Sequence, residues 1–169
     1  VSAYAETYGD LVVAKSSGGR IPTESWQWVD GVPSGPVTVP GSKIRGGIAD
    51  PGEDVGMYTS IAVAQDGTVS VSYFDRGAQG APAANLKFAQ LVNGTWQTHI
   101  VDMGDGAIDN TGDSEVGMYT SLTLRSDDGR PGIAYLAHVH DAMGTHAEVR
   151  YAAAQTPHPT SASDWQTWV

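Results

Sequence analysis

Apolar and polar residues alternate in short runs along most of the chain, and turn-forming residues separate the runs. In the middle of the chain three such runs are Thr59–Ala64, Thr68–Phe74 and Asn85–Gln90. Asp66-Gly67 and Asn93-Gly94 lie between runs, and these dipeptides favour tight hairpins because Gly accepts a positive φ at no steric cost. No segment keeps a 3.6-residue hydrophobic period. The pattern therefore predicts an antiparallel meander of short β-strands.

A short segment recurs later in the chain and marks an internal repeat. The first copy is Gly56-Met57-Tyr58-Thr59-Ser60-Ile61 and the second is Gly117-Met118-Tyr119-Thr120-Ser121-Leu122. Each copy is followed by the same series of a strand, an Asp-Gly turn, a strand with a Tyr, a third strand, and a fourth that begins with Trp-Gln-Thr. In the second copy the strands are predicted at Thr120–Arg125, Gly132–Leu136, Glu148–Ala153 and from Trp165 onward.

A third, partial copy precedes these two. Ser2-Ala3-Tyr4 is matched with Val71-Ser72-Tyr73, Asp10–Ala14 with Asn85–Ala89, and Ser25-Trp26-Gln27 with Thr95-Trp96-Gln97. The chain is then one domain, with an incomplete unit at 1–30, full units at 57–102 and 118–169, and connections at 31–56 and 103–117. The Trp of each unit is predicted to pack between neighbouring units.

Four antiparallel strands per repeat are typical of a propeller blade. We therefore predict an all-β fold, propeller-like, with roughly 2.75 four-stranded blades. A β-sandwich is the alternative, and it explains the strands but not the repeat. The first strand of the first unit is missing and the last run is a fourth strand, so we expect another segment or further copies of the chain to complete the ring.

Taken together, the Tyr-Thr-Ser-Ile/Leu segment, the Asp-Gly turn, the Leu-(Lys/Arg)-(Phe/Tyr)-Ala-type strand and the Trp-Gln-Thr strand resemble secreted bacterial β-propeller repeat proteins. The resemblance covers nearly the whole chain. It implies a propeller fold and an extracellular or periplasmic location. It implies little about function, because propellers host many unrelated activities.

Composition narrows the range of partners. Nineteen acidic residues against nine basic ones give a net charge of −10. Such a surface repels phosphate backbones, so nucleic acid is not expected as a partner, whereas cationic ligands or calcium are compatible. The chain has no Cys, which excludes disulfides and thiolate metal sites. No apolar run approaches ~20 residues, so no membrane-spanning segment is expected.

The meander predicts which end of the strands carries a site. The longest connections, predicted at Gly31–Val55, Asp75–Ala84, Asp102–Val116 and Ala137–Ala147, share one end of the sheets. Long loops on a rigid scaffold are where function tends to lie. A ligand face is therefore predicted there, near Tyr58, Tyr119, Asp75 and Arg76.

One of these connections contains several potential metal ligands. His138 and His140 are two residues apart and point the same way in a strand. With Asp141 and His146 they form a candidate site for zinc or copper, which imidazole nitrogens bind well. The alternative is an exposed polar loop.

The connection before the second full unit is acidic. Calcium prefers several carboxylate and carbonyl oxygens in a glycine-containing loop. Asp102, Asp105, Asp109 and Asp113 are the candidate calcium ligands. The alternative is an acidic turn without metal.

These features favour a non-catalytic binding or scaffold module, with a metal as a candidate stabiliser and a ring completed by another chain, segment or copy. The alternative is a metal-dependent hydrolase or oxidoreductase on the long-loop face. A purely structural subunit that offers a sheet edge to a partner is a third hypothesis.

Overall fold

The computed structural model describes residues 1–6, 8–31, 53–78, 81–104, 112–141 and 144–169. Within these ranges the chain forms strands and two short 3₁₀ turns, at Thr23–Ser25 and Ala162–Asp164, and no α-helix. The all-β prediction is confirmed. The strands are β1 Ser2–Ala5, β2 Asp10–Ala14, β3 Trp26–Asp30, β4 Glu53–Val63, β5 Val69–Ala78, β6 Ala81–Val92, β7 Thr95–Asp102, β8 Gly112–Leu124, β9 Pro131–Asp141, β10 Gly144–Ala154 and β11 Trp165–Trp168.

The strands form three antiparallel sheets, one for each predicted unit. Sheet 1 has the order β1-β2-β3, sheet 2 the order β4-β5-β6-β7, and sheet 3 the order β11-β10-β9-β8. Each sheet is thus a simple meander in which consecutive strands pair. Contacts between sheets are richest at the first strands, because β4 contacts β1, β2 and β8, and β8 also contacts β5 and β6.

Two of the predicted long connections are mostly strand, and this corrects the sequence interpretation. Asp75–Ala84 was expected to be a loop, but β5 continues to Ala78 and β6 starts at Ala81. Ala137–Ala147 was also expected to be a loop, yet β9 runs to Asp141 and pairs with β10 as far as Gly144. Backbone pairing continues here although the apolar alternation has stopped, because ladder hydrogen bonds do not need a buried side-chain face.

Two hydrophobic cores fill the spaces between neighbouring sheets, and they use matching positions. The first contains Leu11 and Val13 from sheet 1 against Val71, Tyr73 and Ala89 of sheet 2. The second contains residues from sheet 2 against the corresponding positions of sheet 3, namely Leu86 and Phe88 against Ile133, Tyr135 and Ala152. Burial of these side chains is the main force that holds sheet to sheet.

The same glycine contact occurs in both cores. A Cβ atom on Gly56 would lie 2.7 Å from Leu11 Cα, and one on Gly117 would lie 2.5 Å from Leu86 Cα. Both glycines have positive φ, 102° and 104°. Only Gly permits this backbone conformation together with so close an approach. Leu11 and Leu86 are therefore equivalent positions.

This equivalence shifts the sequence alignment of the first unit. Leu11 pairs with Tyr4 and Leu86 pairs with Phe74. Tyr4 therefore corresponds to Phe74, and Ala3 takes the position that was assigned to Tyr4. The predicted match of Tyr4 with Tyr73 is wrong by one residue, because the match rested on similar letters, whereas strand register is set by which side chains face the core.

The Trp match also shifts. Ala14 pairs with Trp26, whereas the equivalent Ala89 pairs with Thr98. Trp26 thus corresponds to Thr98, not to Trp96. In the full units Trp96 and Trp165 do correspond and each crosses to the preceding sheet, as predicted. Trp96 Nε1 donates to Gln27 Oε1 at 3.1 Å, and Trp165 Nε1 donates to His99 Nε2 at 2.9 Å.

A polar link repeats beside each core. The Tyr73 hydroxyl donates to Asp30 Oδ2 at 2.6 Å, and Lys87 Nζ lies 2.5 Å from the same oxygen. In the next interface the Tyr135 hydroxyl donates to Asp102 Oδ2 at 2.6 Å, and Arg150 Nη1 lies 3.5 Å from that oxygen. In each interface the last strand of one sheet supplies a carboxylate to a Tyr and a base of the following sheet.

Candidate functional site

The repeated tyrosines lie side by side where β4 and β8 meet. The ring centroids of Tyr58 and Tyr119 are 4.4 Å apart, with the planes tilted by 43°. Tyr58 is 38% exposed and Tyr119 is 65% exposed. The Phe74 ring lies 6.0 Å from the Tyr58 ring on the protein side. The structure thus joins two residues of the predicted ligand face into one exposed aromatic surface, called here the tyrosine pair.

The backbone holds this pair in an uncommon conformation. Tyr58 and Tyr119 have φ values of 53° and 51°. Bulky residues rarely adopt positive φ, because Cβ then crowds the backbone. Thr120 Oγ1 donates to the Tyr58 carbonyl at 2.8 Å and receives a hydrogen bond from Ser72 Oγ, also at 2.8 Å. Thr120 therefore ties neighbouring sheets together and fixes the backbone that carries the first ring.

Two opposite charges act on the pair. Burial raises the pKa of Tyr58, and the neighbouring Tyr119 hydroxyl and the negative charge of Glu115 raise it further. Arg76 lowers the same pKa and so opposes them. Arg76 also lowers the pKa of Tyr4, which burial and a hydrogen bond to Asp54 otherwise raise strongly. Arg76 and Glu115 therefore act on Tyr58 with opposite charges, and the sequence prediction placed only Arg76 on the ligand face.

Asp75, the other predicted ligand-face residue, is placed differently. It is 6% exposed. Its Oδ1 accepts from the Gly77 amide at 2.8 Å and its Oδ2 accepts from Asn85 Nδ2 at 3.3 Å. Lys87 Nζ lies 3.9 Å away. Asp75 is thus buried in the interface between sheets 1 and 2, and it does not belong to the surface formed by the tyrosine pair.

The four candidate transition-metal ligands lie in the hairpin of β9 and β10. His138 and His140 share one face of β9. His146 pairs across the ladder with Val139, and directly paired residues share a face, so His146 lies on the other side of the sheet. Asp141 ends β9, and its side chain lies outside the described atoms.

Each histidine also has a separate polar partner. His138 Nδ1 lies 2.9 Å from Glu115 Oε2, His140 Nδ1 lies 2.6 Å from Thr145 Oγ1, and His146 Nε2 lies 3.2 Å from Glu148 Oε1. In the part of the chain that the structure describes, no three His, Asp or Glu side chains converge on one point suited to a metal. Zinc or copper binding stays a prediction, as does the metal-dependent enzyme, and of the candidate ligands only His138 and His140 share a face of β9.

Of the calcium candidates, the structure describes the side chain of Asp102 alone. Asp102 is already engaged by Tyr135 and Arg150 in the interface of sheets 2 and 3. Asp113 lies in β8 opposite Val139, and its side chain is outside the described atoms. Asp105 and Asp109 lie outside the described residues altogether. Calcium binding therefore also stays a prediction.

A cleft of about 560 Å³ lies at the end of the sheets where β4 and β8 turn into β5 and β9. It is bounded by the β4–β5 turn, the β8–β9 turn and the β10–β11 connection. Gln90, which is 3% exposed, forms part of its wall and bonds His158 Nδ1 at 2.9 Å through Oε1. Sequence reasoning assigned no site to this end, because short turns gave no sign that they would leave a space between them.

One face of sheet 3 is apolar and exposed; it is called here the open face. Its side chains project from β10 and β11 on the side away from sheet 2. Tyr151 and Trp168 stack on it with ring centroids 5.9 Å apart. The exposed residues of the open face are Val149 at 73%, Tyr151 at 41% and Trp168 at 45%.

No helix in the described ranges has the length and hydropathy needed to cross a membrane. Comparison with known proteins gives no match to a family model, to a curated protein or to a solved structure. The tyrosine pair and the open face are therefore interpreted from their own geometry.

Proposed function

We propose that this chain is a non-catalytic scaffold and binding module of the β-propeller type, and that its open face binds a further four-stranded sheet of the same repeat. The observation that carries the proposal is the exposure of Val149. Val149 pairs with Leu136 as Leu86 pairs with Phe74. Leu86 and the equivalent Leu11 are each 0% exposed.

The neighbouring position repeats this contrast. Tyr151 corresponds to Phe88 and to Val13, which are 0% and 8% exposed. In both described interfaces these positions are covered by the following sheet, whose first strand brings a Gly to the Leu backbone. A contiguous exposed patch of this kind is typical of an interaction surface. The occupant that fits it is a sheet with Gly-Met-Tyr-Thr-Ser in its first strand.

A second copy of this chain fits less well. Among the three described sheets, sheets 2 and 3 each pack one face on the preceding sheet, and sheet 1 has no such preceding sheet. In sheet 1, Ala3 pairs with Val12, and these two positions are equivalent to the paired Tyr73 and Lys87 of sheet 2. Sheet 1 therefore lacks the Tyr and the basic residue that sheets 2 and 3 have at these positions. The repeat interface needs that Tyr and that base. We therefore commit to a further repeat as the occupant.

The test extends the chain by one repeat. Trp165 corresponds to Trp96, so Val169 takes the position of Ile100, and appending a copy of residues 101–169 after Val169 continues the fourth strand in register. The appended Val101-Asp102 would also supply the carboxylate that the appended Tyr135 needs. Because the chain has no Cys, Val149→Cys gives a single thiol on the open face, and Val63→Cys, at a site 62% exposed, gives a matched exposed thiol elsewhere.

We expect the extension to slow thiol labelling at position 149 by about tenfold or more, with no change at position 63. Introducing Gly117→Val in the appended copy should restore fast labelling at 149. The proposal is wrong if the extended chain gains strand signal in circular dichroism while position 149 labels at its original rate. It is also wrong if the unextended chain already protects position 149 and has twice its mass by light scattering, because the occupant is then a second copy.

A further inference from the structure

We infer that the tyrosine pair, with Glu115, is a binding site for an organic cation such as an alkylammonium or guanidinium group. The face of a tyrosine ring carries negative electrostatic potential and attracts such cations. Tyr119, 65% exposed, offers most of the ring surface, and Tyr58 supports it at 4.4 Å. The site joins the first strands of sheets 2 and 3. A further sheet of the same repeat would place its own Tyr beside Tyr119, as Tyr119 lies beside Tyr58, and would extend the row of rings.

The site is built before any ligand arrives. Both tyrosines keep positive φ, and the Thr120 hydroxyl fixes the Tyr58 carbonyl. Gly117 sets how closely β8 approaches Leu86. Uncommon backbone conformations persist only when the surroundings hold them, and they concentrate at binding sites. A ring held in place loses little entropy when it binds, which favours a small cation that offers few contacts of its own.

Charge selects the ligand class. The chain carries a net charge of −10, and a field of that sign raises the local concentration of cations. Glu115 lies on β8, four residues before Tyr119, its charge raises the pKa of Tyr58, and its side chain is 49% exposed. A cation over the rings would therefore meet a carboxylate that remains reachable from solvent. Glu115 also contacts His138 Nδ1 at 2.9 Å, which orients the carboxylate.

Arg76 provides a way to distinguish a cationic ligand from an anionic or a neutral one. It lies on β5, which pairs with the strand that carries Tyr58, and its charge has the opposite sign from that of Glu115. We therefore expect Arg76 to compete with a bound cation and to assist a bound anion. A neutral ligand that stacks on the rings would respond weakly to either charge. Removing Arg76 and removing Glu115 should therefore have opposite effects on a cation, and this pair of signs separates the three ligand classes.

The experiment titrates the full chain with choline and, in parallel, with its uncharged isostere 3,3-dimethylbutan-1-ol, following the tyrosine ring signals by NMR. We expect saturable millimolar binding of choline only. Tyr119→Ala should weaken it about fivefold or more, while Tyr119→Phe, which keeps the ring, should retain it. Glu115→Gln should weaken binding about threefold and Arg76→Gln should strengthen it about threefold. Gln97→Ala, an exposed change on β7, is the control and should have no effect.

Equal binding of the uncharged isostere would overturn the inference, because the site would then recognise shape and not charge. Weaker binding in Arg76→Gln would overturn it as well, because it would indicate an anionic ligand. Each variant is first checked for an unchanged amide spectrum, so that loss of binding is read only from folded protein. A positive titration in the unextended chain would stand even if the open face accepted no further sheet.

Discussion

The two interfaces between neighbouring sheets use equivalent positions but fill them with different residues. Between sheets 1 and 2, Lys87 lies near Asp30 and Asp75, and these side chains are 8% to 14% exposed. Between sheets 2 and 3, Arg150 lies near Asp102 and Glu148, which are 20% and 21% exposed. Among the described residues, each interface thus places one basic side chain beside two carboxylates, and those of the first interface are less exposed.

The second acid has changed strands between the two interfaces. Asp75 pairs with Asn85, whereas the equivalent Ala137 pairs with Glu148. The carboxylate therefore sits on β5 in one interface and on β10 in the other, and still meets the base. A buried charge is costly unless it is paired. Each interface therefore keeps a second carboxylate beside its basic residue, although the strand that carries this carboxylate differs. An alignment of the repeats does not show that Asp75 and Glu148 have the same role, because they occupy different positions in the repeat.

Substitution of the glycine that contacts the neighbouring sheet should cause the largest loss of stability in either interface. Gly117→Ala would place Cβ 2.5 Å from Leu86 Cα and force a non-Gly residue to φ 104°. We expect a loss of about 4 kcal/mol or more from strain and overpacking together, measured by urea unfolding. Gly56→Ala should behave alike, because its Cβ would lie 2.7 Å from Leu11 Cα.

Gly94→Ala is the matched control, since it has φ 79° but nothing within 4 Å of its Cβ. It should cost only about 1–2 kcal/mol, the penalty of the left-handed conformation. If Gly94→Ala and Gly117→Ala destabilise the chain equally, close packing of the sheets is not what requires Gly117.

Replacing the basic residue should have a larger effect in the less exposed interface, between sheets 1 and 2, than in the interface between sheets 2 and 3. Lys87→Met leaves Asp30 and Asp75 facing each other without their cation, and we expect a loss of about 3 kcal/mol. Arg150→Met should cost less, because solvent reaches Asp102 and Glu148 and screens them. Thermal unfolding of the two variants at one pH compares them, and a larger loss for Arg150→Met would contradict the assignment of the drier interface.

The smallest expected effect is a dependence on pH that belongs to the second interface alone. Burial lowers the pKa of His99 from its ordinary value of 6.5, and Asp164 opposes this. The unfolded chain then binds the proton more readily than the folded one, so His99 makes stability fall as the pH drops below about 6.5. At the equivalent position Gln27 accepts from Trp96 without titrating.

His99→Gln should therefore flatten the stability profile below that pH while keeping an acceptor for Trp165, whose Nε1 donates to His99 Nε2. Urea unfolding from neutral pH down to the acid range measures it. The reverse change, Gln27→His, should introduce the same acid sensitivity in the first interface. An unchanged profile for His99→Gln would mean that other groups control the acid response.

Much of the fold was predictable because it depends on the sequence of residues that are close together along the chain. The Gly-Met-Tyr-Thr-Ser copies, the Asp66-Gly67 turn and the alternating runs gave the strands and their grouping into sheets, since alternation and turn chemistry act over a few residues. Tyr58 and Tyr119 were also assigned to one surface from their equivalent positions. The propeller arrangement and the metal sites stay predictions.

What sequence could not supply was register and proximity. Tyr4 resembles Tyr73 in its letters, but pairing with Leu11 puts it in the place of Phe74. His146 follows His140 closely in sequence, yet the ladder turns it to the other face of the sheet. Asp75 looked like a loop carboxylate and is buried in an interface.

By itself, then, the sequence determined the kind of element, the repeat and the acidic charge, because each depends on residues that are neighbours along the chain. Only the tertiary structure decided that Tyr58 and Tyr119 touch, that Asp30 serves Tyr73 of the next sheet, and that Val149 is exposed where Leu86 is buried. These facts depend on how one sheet is placed against another, and that placement is set by the summed packing of side chains far apart in sequence.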